Sequence, residues 1–481
     1  MPIQSLEIVG LRGFARPQTL VFAMPSGVEG SGLTILIGPN NGGKSTIVES
    51  LRAMASTRHQ SFTEGKRNKE AGDRVSIVAS LDTGSTLELR TVDAGGSETI
   101  RTPDSQGLPF TLYVLPSRRY FNPYFGRGRQ DRQAYAMSVG FPQSRGAPLD
   151  QFSGRLFRVL EKRAEFDAVL RRVLDPAPEW TIDQSDGGQY YLKFSAAGQY
   201  HTSDGLGEGI VSLFFLVDAL YDSAPGEIIV IDEPELSLHP AFQRRLATLL
   251  ADYSRDRQII YATHSPYFLD FNHVANGAEV ARVYKASGAS VISRLHRTSA
   301  ETLRNFLSNA NNPHILGLDA REALFVEDGL VLVEGQEDVV FYSRLLRELA
   351  PDLSNRFFGW GVGGADNIPM IARMLHDLGF ERVAAILDAN KAYRLGEFQS
   401  LFPEYFFVAI PADDVRTKPE RTAQNAVRGL LDEMGKLRPE FENTIKEMLE
   451  TLQQYFATHA RDAHGYPPGT RTAPLKSQTM T

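Results

Sequence analysis

The stretch LTILIGPNNGGKSTIVESL, Leu33 to Leu51, decides how the rest of the chain is read. Leu33 to Ile37 are apolar with little alternation, the pattern of a strand buried on both faces. Gly38-x-x-x-x-Gly43-Lys44-Ser45 follows and opens a helix. Glycines let backbone N–H groups curl around phosphate oxygens, and a helix N-terminus adds a favourable dipole. The spacing predicts a nucleoside triphosphate cradle made by Gly38, Asn40, Asn41, Gly42, Gly43, Lys44, Ser45 and Thr46. Lys44 is expected to reach the β- and γ-phosphates, and the Ser45 hydroxyl to ligate Mg²⁺.

Two further strands carry the matching chemistry. In EIIVIDEPELSLHP the apolar run Ile228 to Ile231 ends in Asp232-Glu233. Asp232 is expected to hold Mg²⁺ through water, and Glu233 to polarise the attacking water. QIIYATHSP ends at His264, a position suited to sensing the γ-phosphate.

Composition sets the outer bounds. With 481 residues the chain has room for two or three domains. A net charge of -7 argues against a general polyanion binder, although a local basic face remains compatible with nucleic acid. The absence of cysteine excludes disulfides, thiolate catalysis and Cys-ligated zinc, and fits a reducing, cytoplasmic compartment. The N-terminus does not read as a signal peptide. IVSLFFLVDAL is interrupted by Asp218 and is too short to span a bilayer, so no membrane partner is expected.

Between the strands lie two segments of interest. PSRRYFNPYFGRGRQDR interleaves Arg118, Arg119, Arg127, Arg129 and Arg132 with Tyr120, Phe121, Tyr124 and Phe125. Such a run suits phosphate contact and base stacking, or equally a loop whose arginines pair with acids or nucleotide. LDQFSGRLFRVLEKRAEFDAVLRRVLD places Phe152, Leu156, Phe157, Leu160, Phe166, Val169, Leu170 and Val173 on a helical stripe too short for a long coiled coil. WTIDQSDGGQYYLKF reads as a hairpin turning at Gly187-Gly188.

A second apolar unit begins near residue 321. Leu330 to Val333 form a buried strand, Glu334-Gly335 a tight end, and Val339 to Leu346 an amphipathic helix. A Gly-rich turn and helix follow, then the strand VAAILDAN. The order implies a small parallel sheet with Glu334, Asp338, Asp388 and Asn390 near strand C-terminal ends, where α/β sheets place their sites. Clustered carboxylates repel one another until a divalent cation offsets them, and Mg²⁺ so held can activate water and stabilise a phosphodiester transition state. Asn390 stands where Asp-x-Asp would have its second acid, which weakens the set; Asp413 or Asp414 downstream could restore the charge. The region after residue 420 reads as two helices with mixed charge, and residues 461–481 as a disordered tail.

The first three motifs, with SLEIVGLRGFA at the N-terminus and DEPELSLHP, resemble the ABC-type ATPase heads of the SMC-like class. HTSDGLGEGIVSLFFL lies about 25 residues before the acid-ending strand, where such heads carry their signature loop, and Ser203 and Gly205 match it. The resemblance implies a head-to-head homodimer or higher oligomer, with that loop capping the partner's ATP. LVEGQED and LDAN are similar to the glutamate and Asp-x-Asp motifs of Toprim domains. A head followed by a Toprim domain resembles the OLD (overcoming lysogenization defect) family nucleases, over most of residues 1 to 420.

The expected architecture is α/β: an ATPase head over 1–320 with a helical and lateral segment at 116–200, a Toprim-like parallel domain over 321–420, and helices over 421–460. The resemblance implies ATP and Mg²⁺ as cofactors, with Mn²⁺ as an alternative in the second domain. It implies Glu233, His264, Glu334 and Asp388 as catalytic residues. It also implies DNA as a substrate and a place in anti-phage defence. The rival expectation is a sensor or scaffold ATPase with an inert Toprim domain that controls a separate effector protein. An SMC-like repair or transport ATPase is disfavoured by the missing coiled coil and membrane segment.

Overall fold

The strand Leu33–Ile37 is buried at all five positions and lies inside a parallel sheet. Its neighbours are Gln258–Ala262 on one side and Glu279–Ala286 on the other, with Ile228–Asp232 and then Leu112–Leu115 beyond Gln258–Ala262. Every one of these pairings is parallel, which suits the continuous burial of Leu33–Ile37, Ile228–Asp232 and Gln258–Ala262, while the flanking strand Glu279–Ala286 carries Glu279, Arg282 and Lys285. The computed structural model describes residues 2–56, 60–103, 112–138, 148–196, 199–202, 207–308, 318–325, 329–353, 356–418 and 426–458. The chain falls into two compact units, 1–283 and 284–481.

The first unit adds two antiparallel sheets. One runs Gln18–Val21, Ile3–Val9, Ser76–Leu81, Thr86–Thr91, Thr99–Thr102 in spatial order. The other is a meander of Glu179–Gln184, Tyr190–Ala196 and Gln199–Thr202, with the expected turn at Gly187-Gly188 and Gly188 at φ 81°. The helical stripe after residue 150 is not one helix. Lys162, at φ -119° and ψ 31°, divides it into Phe152–Glu161 and Arg163–Val173. Phe152, Leu156, Phe166, Val169, Leu170 and Val173 are buried as the stripe requires.

The helix Glu208–Tyr221 is buried from Ser212 to Leu220, and the Asp218 that interrupts its apolar run is itself fully buried. Its carboxylate accepts from Arg155 Nη2 at 2.8 Å and from the Tyr113 hydroxyl at 2.8 Å. Arg155 donates also to Asp222 at 2.9 Å. Burial alone would lower the Arg155 pKa, but the adjacent Asp218 carboxylate raises it above its ordinary value. Arg132 extends the network to Asp222, to Glu227 at 2.9 Å and to the carbonyl of Asp218 at 3.1 Å.

In the second unit, Leu330–Leu332, Val383–Leu387 and Phe406–Ala409 form a parallel sheet, and Phe357 bridges to Val331 in parallel. Helix Gln336–Leu349 and helix Glu442–Thr458 pack on it through Tyr342, Leu345, Leu346, Ile445, Leu449, Leu452 and Phe456. The expectation of two helices after residue 420 holds only for the second. Residues 427–437 instead make isolated bridges, Lys418 to Val427, Arg416 to Leu431 and Leu431 to Leu437. Gly429 and Gly435, the latter at φ 80°, punctuate this segment and disfavour a continuous helix, and Leu430 and Leu431 are both buried in the extended form, which requires cover on both of its faces. The expected tail lies outside the described residues.

Breaking a buried ion pair from one side strands the other charge. Asp218→Ala and Arg155→Met should each destabilise the first unit by about 3–5 kcal/mol. The double variant should cost less than the sum of the two, as read from urea unfolding.

Candidate functional site

In the first unit the loop between Ile37 and Lys44 is shaped by close backbone approach. Gly38, at φ 127°, would place a Cβ 2.3 Å from the carbonyl oxygen of Val283, and Gly42 would place one 2.1 Å from the same atom. No larger residue fits either position, so these glycines let the loop curl against the neighbouring strand. Gly43, at φ 126°, begins helix Lys44–Ala55 and supplies no side-chain cap, so the first helical N–H groups stay available to an anion. Asn40 and Asn41 are exposed on the loop, Asn41 at φ 62°, and Thr46 is buried.

Lys44 is 5 % exposed and donates to the carbonyls of Gly38 at 2.7 Å and Pro39 at 3.0 Å. Burial pushes its pKa down to about 8, against the raising effect of Asp232, Glu233 and Glu235. The Ser45 hydroxyl donates to Asp232 Oδ1 at 3.3 Å, which brings together two residues 187 positions apart. A hydroxyl beside a carboxylate next to a phosphate cradle is a hard-oxygen donor set that fits Mg²⁺ accompanying a nucleotide.

Glu233 follows Asp232 at φ 49°, a left-handed conformation uncommon outside glycine. Its N–H donates to the carbonyl of Ala262 at 2.8 Å. His264 lies on the adjacent strand's extension, with its N–H donating to Glu235 at 2.6 Å. Its ring is exposed; partial desolvation and then the Lys44 charge lower its pKa to about 4, so it is neutral at pH 7. Ser203 and Gly205 lie outside the described residues.

Two residues of this site escaped the sequence reading. Glu235 binds both Thr263, at 2.8 Å, and the His264 backbone, and so joins the two acid-bearing and histidine-bearing loops. Its position two residues after Glu233 was the available signal. Arg119 is buried and donates to the carbonyls of Asp232 and Glu233, both at 2.9 Å. Phe121 and Phe125 are buried as well, and Arg132 belongs to the Asp218 network. Of the two readings of the arginine–aromatic run, these four residues fit the loop packed on acids and backbone.

In the second unit, Glu334 follows the strand Leu330–Leu332 and Asp388 follows Val383–Leu387. The two strands are parallel neighbours, and the Asp388 N–H donates to Glu334 Oε1 at 3.4 Å. A Gly-rich turn closes over the first strand end: the N–H groups of Gly363 and Gly364 both donate to the Glu334 carbonyl at 2.8 Å. Asp338 accepts from the Gly335 N–H at 2.8 Å and so caps the helix that starts there.

The charges in this unit press on one another. Burial, then Asp338, Glu334 and Asp414, push the Asp388 pKa up to about 8. Burial also raises Asp338 to about 6, with Glu334 and Asp414 adding to the effect. Asp414, and not Asp413, is thus the downstream acid coupled to the strand ends; it accepts from the Arg416 N–H at 3.0 Å and pairs with Lys418. Asp413 is exposed. Asn390 is exposed too, and its side-chain amide donates to the Asp413 carbonyl at 2.8 Å, which ties the two loops together. The carboxylates are the hard donors that suit a divalent cation. Among the described residues no three His, Cys, Asp or Glu side chains already stand in a ligating group.

Residues 80–270 match the family described as "AAA domain, putative AbiEii toxin, Type IV TA system", and residues 5–103 match a second AAA domain family. The chain is 37 % identical over 131 residues to the OLD nuclease of Thermus scotoductus, covering 26 % of this chain and 23 % of that one. It is 30 % identical over 183 residues to the Old nuclease of Escherichia phage P2, 36 % and 30 % of the two lengths. It is 25 % identical over 197 residues to Endonuclease GajA of Bacillus cereus, 40 % and 32 % of the lengths. The matches therefore span between 23 % and 32 % of the length of these relatives. Among solved structures, an SMC head bound to the C-terminal winged-helix domain of ScpA aligns at a TM-score of 0.42 with 15 % identity, over 63 % of this chain and all of that one. The phosphate-loop geometry and the AAA-domain matches agree with an ATPase head, and over part of its length the chain is similar to the OLD nucleases.

Proposed function

We propose that this chain is an ATP-hydrolysing, Mg²⁺-dependent DNA endonuclease of the OLD type that serves in anti-phage defence. In this reading the second unit is a Toprim-like nuclease domain, and the heads dimerise with Ser203 and Gly205 capping the partner's ATP. The observation that carries it is the placement of Glu334 and Asp388 at the ends of adjacent parallel strands, with the Asp388 N–H on the Glu334 carboxylate. Asp338 and Asp414 add charge to the same surroundings.

In the head, Lys44 binds the β- and γ-phosphates, Ser45 and Asp232 would hold the Mg²⁺ that offsets phosphate charge, and Glu233 accepts a proton from the attacking water. The neutral His264 ring reads the γ-phosphate. In the second unit Glu334, Asp338 and Asp388 would hold Mg²⁺ or Mn²⁺, which when bound makes water more acidic and offsets phosphoryl charge. Asp414 supplies the charge that Asn390 lacks. The products are a 5′-phosphate or 3′-phosphate end and the opposing hydroxyl, water having taken the place of one ester oxygen.

One observation favours a second reading. Asn390 spends its amide on a backbone carbonyl, and Asp414 is paired with Lys418. A domain so braced suits a sensor ATPase that keeps the fold without the cleavage and controls a separate effector.

Plasmid DNA incubated with the purified chain, with Mg²⁺ or Mn²⁺ and with or without ATP, separates the two. Under the nuclease reading Glu334→Ala and Asp388→Ala abolish nicking and leave ATP binding intact. If the wild type cuts nothing with either metal, the nuclease reading fails. In the head, Lys44→Ala should abolish binding of labelled ATP, and Glu233→Gln should retain ATP while turnover falls by about 10²-fold or more.

Stability should follow the Asp388 charge. A carboxyl whose pKa is raised to about 8 on folding binds more protons in the folded chain than in the unfolded one. Its contribution is therefore most favourable below about pH 4 and is lost as pH rises towards 8. At pH 8 without metal, Asp388→Asn should melt higher than wild type, by a stability of order 1–2 kcal/mol after solvent screening. Mg²⁺ should raise the melting temperature of the wild type more than that of the variant.

A further inference from the structure

We infer that Arg119 is a positioning residue for ATP hydrolysis, holding the left-handed turn at Glu233 against the helix Glu208–Tyr221. The inference rests on the reading of Glu233 as the group that activates water.

Arg119 is 5 % exposed, so it offers no surface to a macromolecule. Its guanidinium spends its donors on four neutral oxygens. Nε donates to the Ser212 hydroxyl at 2.8 Å, Nη1 to the carbonyls of Pro116 at 2.8 Å and Asp232 at 2.9 Å, and Nη2 to the carbonyl of Glu233 at 2.9 Å. The contrast within this unit is with Arg155 and Arg132, whose forks face carboxylates. A buried cation held only by dipoles is costly to keep. Burial does lower its pKa, to about 10, and the charges of Glu235, Asp232 and Glu233 oppose that effect, so it stays ionised at neutral pH.

The pattern of acceptors says what the cost maintains. The Asp232 and Glu233 carbonyls belong to the two peptide planes that flank the Glu233 Cα. One planar fork fixes both, while the Glu233 N–H is fixed separately on Ala262. These anchors over-determine a residue at φ 49°, which would otherwise relax towards a right-handed conformation. The backbone sets the Glu233 Cα–Cβ vector, so the fork fixes where the side chain departs from the turn. The bond to Ser212 ties the same guanidinium to the second turn of the helix that begins at Glu208. A lysine ammonium cannot span these acceptors, because it lacks the planar fork.

The test is steady-state ATP hydrolysis by the full chain, with binding of labelled ATP and thermal melting measured alongside. Arg119→Lys should lower kcat by about 10²-fold, the usual cost of a catalytic group displaced by about an ångström, with the affinity for ATP changed less than about threefold. In a Glu233→Gln background it should cause no further loss, because the group it positions is already disabled. Ser212→Ala removes one bond of the four without touching the carbonyl contacts, and should lower kcat about three- to tenfold at unchanged ATP affinity. A folded Arg119→Lys enzyme with wild-type kcat, or one whose loss lies in KM alone, overturns the inference. So does additive loss in the double variant. Should Arg119→Lys not fold, an unchanged kcat in Ser212→Ala overturns it. Wild-type turnover in Glu233→Gln is a separate outcome: it overturns the assignment of Glu233 itself, and this inference with it.

Discussion

Parallel strand pairing is the constraint on which the head depends. Strands in parallel need long crossovers, so neighbours in the sheet come from distant parts of the chain. Their C-terminal ends nevertheless share one edge. That is how the loop after Ile37, the acids after Ile231 and the histidine after Ala262 reach one another, with Ser45 and Asp232 bonded across 187 residues. The strands are fully buried at Leu33–Ile37, Ile228–Asp232 and Gln258–Ala262, so the edge is a rigid platform. Polar loops can then carry positive-φ residues such as Asn41 and Glu233 because the strands beneath them do not yield.

Charge buried behind that platform is handled in two ways. The Asp218–Arg155 pair, with Tyr113, Arg132 and Asp222, satisfies charge with opposite charge inside the helical layer. Arg119 satisfies charge with backbone carbonyls at the edge itself. The first arrangement joins helices to one another and to the strand Leu112–Leu115. The second joins the helix Glu208–Tyr221 to the turn at Glu233. Both depend on the guanidinium's fixed fork, which a flexible ammonium cannot imitate.

Much of this was legible in the sequence because the relevant patterns are local. The unbroken apolar runs named the parallel strands, and Gly38 to Ser45 named the loop, since its glycines are required by contacts with Val283 as close as 2.1 Å. The acids of the second unit were legible as strand ends for the same reason. What escaped was set by tertiary partners. Arg119 and Arg132 read as equal members of a basic run with Arg127 and Arg129, yet the first two are buried and the others exposed. Asp414 differs from Asp413 through local contacts, to the Arg416 N–H two residues on and to Lys418 four residues on, which a pair of adjacent acids does not reveal by itself. Likewise Leu430 and Leu431 fit a helical pattern, and it is the bridges of their segment to Arg416 and Leu437 that hold it extended.

The two acid-bearing strand edges differ in sign balance, and that difference indicates what each can accept. In the head, Asp232, Glu233 and Glu235 act on two buried cations, Lys44 and Arg119, and burial outweighs the acids enough to bring Lys44 down to about 8. A lysine so desolvated gains most from a ligand that brings negative charge to it, and the uncapped helix behind Gly43 favours the same kind of ligand. In the second unit burial, reinforced by Asp338, Glu334 and Asp414 and opposed by Lys418, drives Asp388 up to about 8. Burial and the neighbouring acids both favour its protonated form. The ligand that restores it to an ionised state is a cation with a preference for oxygen. The same device, a parallel strand that ends in an acid, thus gives two different surroundings: in the head burial disfavours the charge of a lysine set among acids, and in the second unit it disfavours the charge of an acid set among acids.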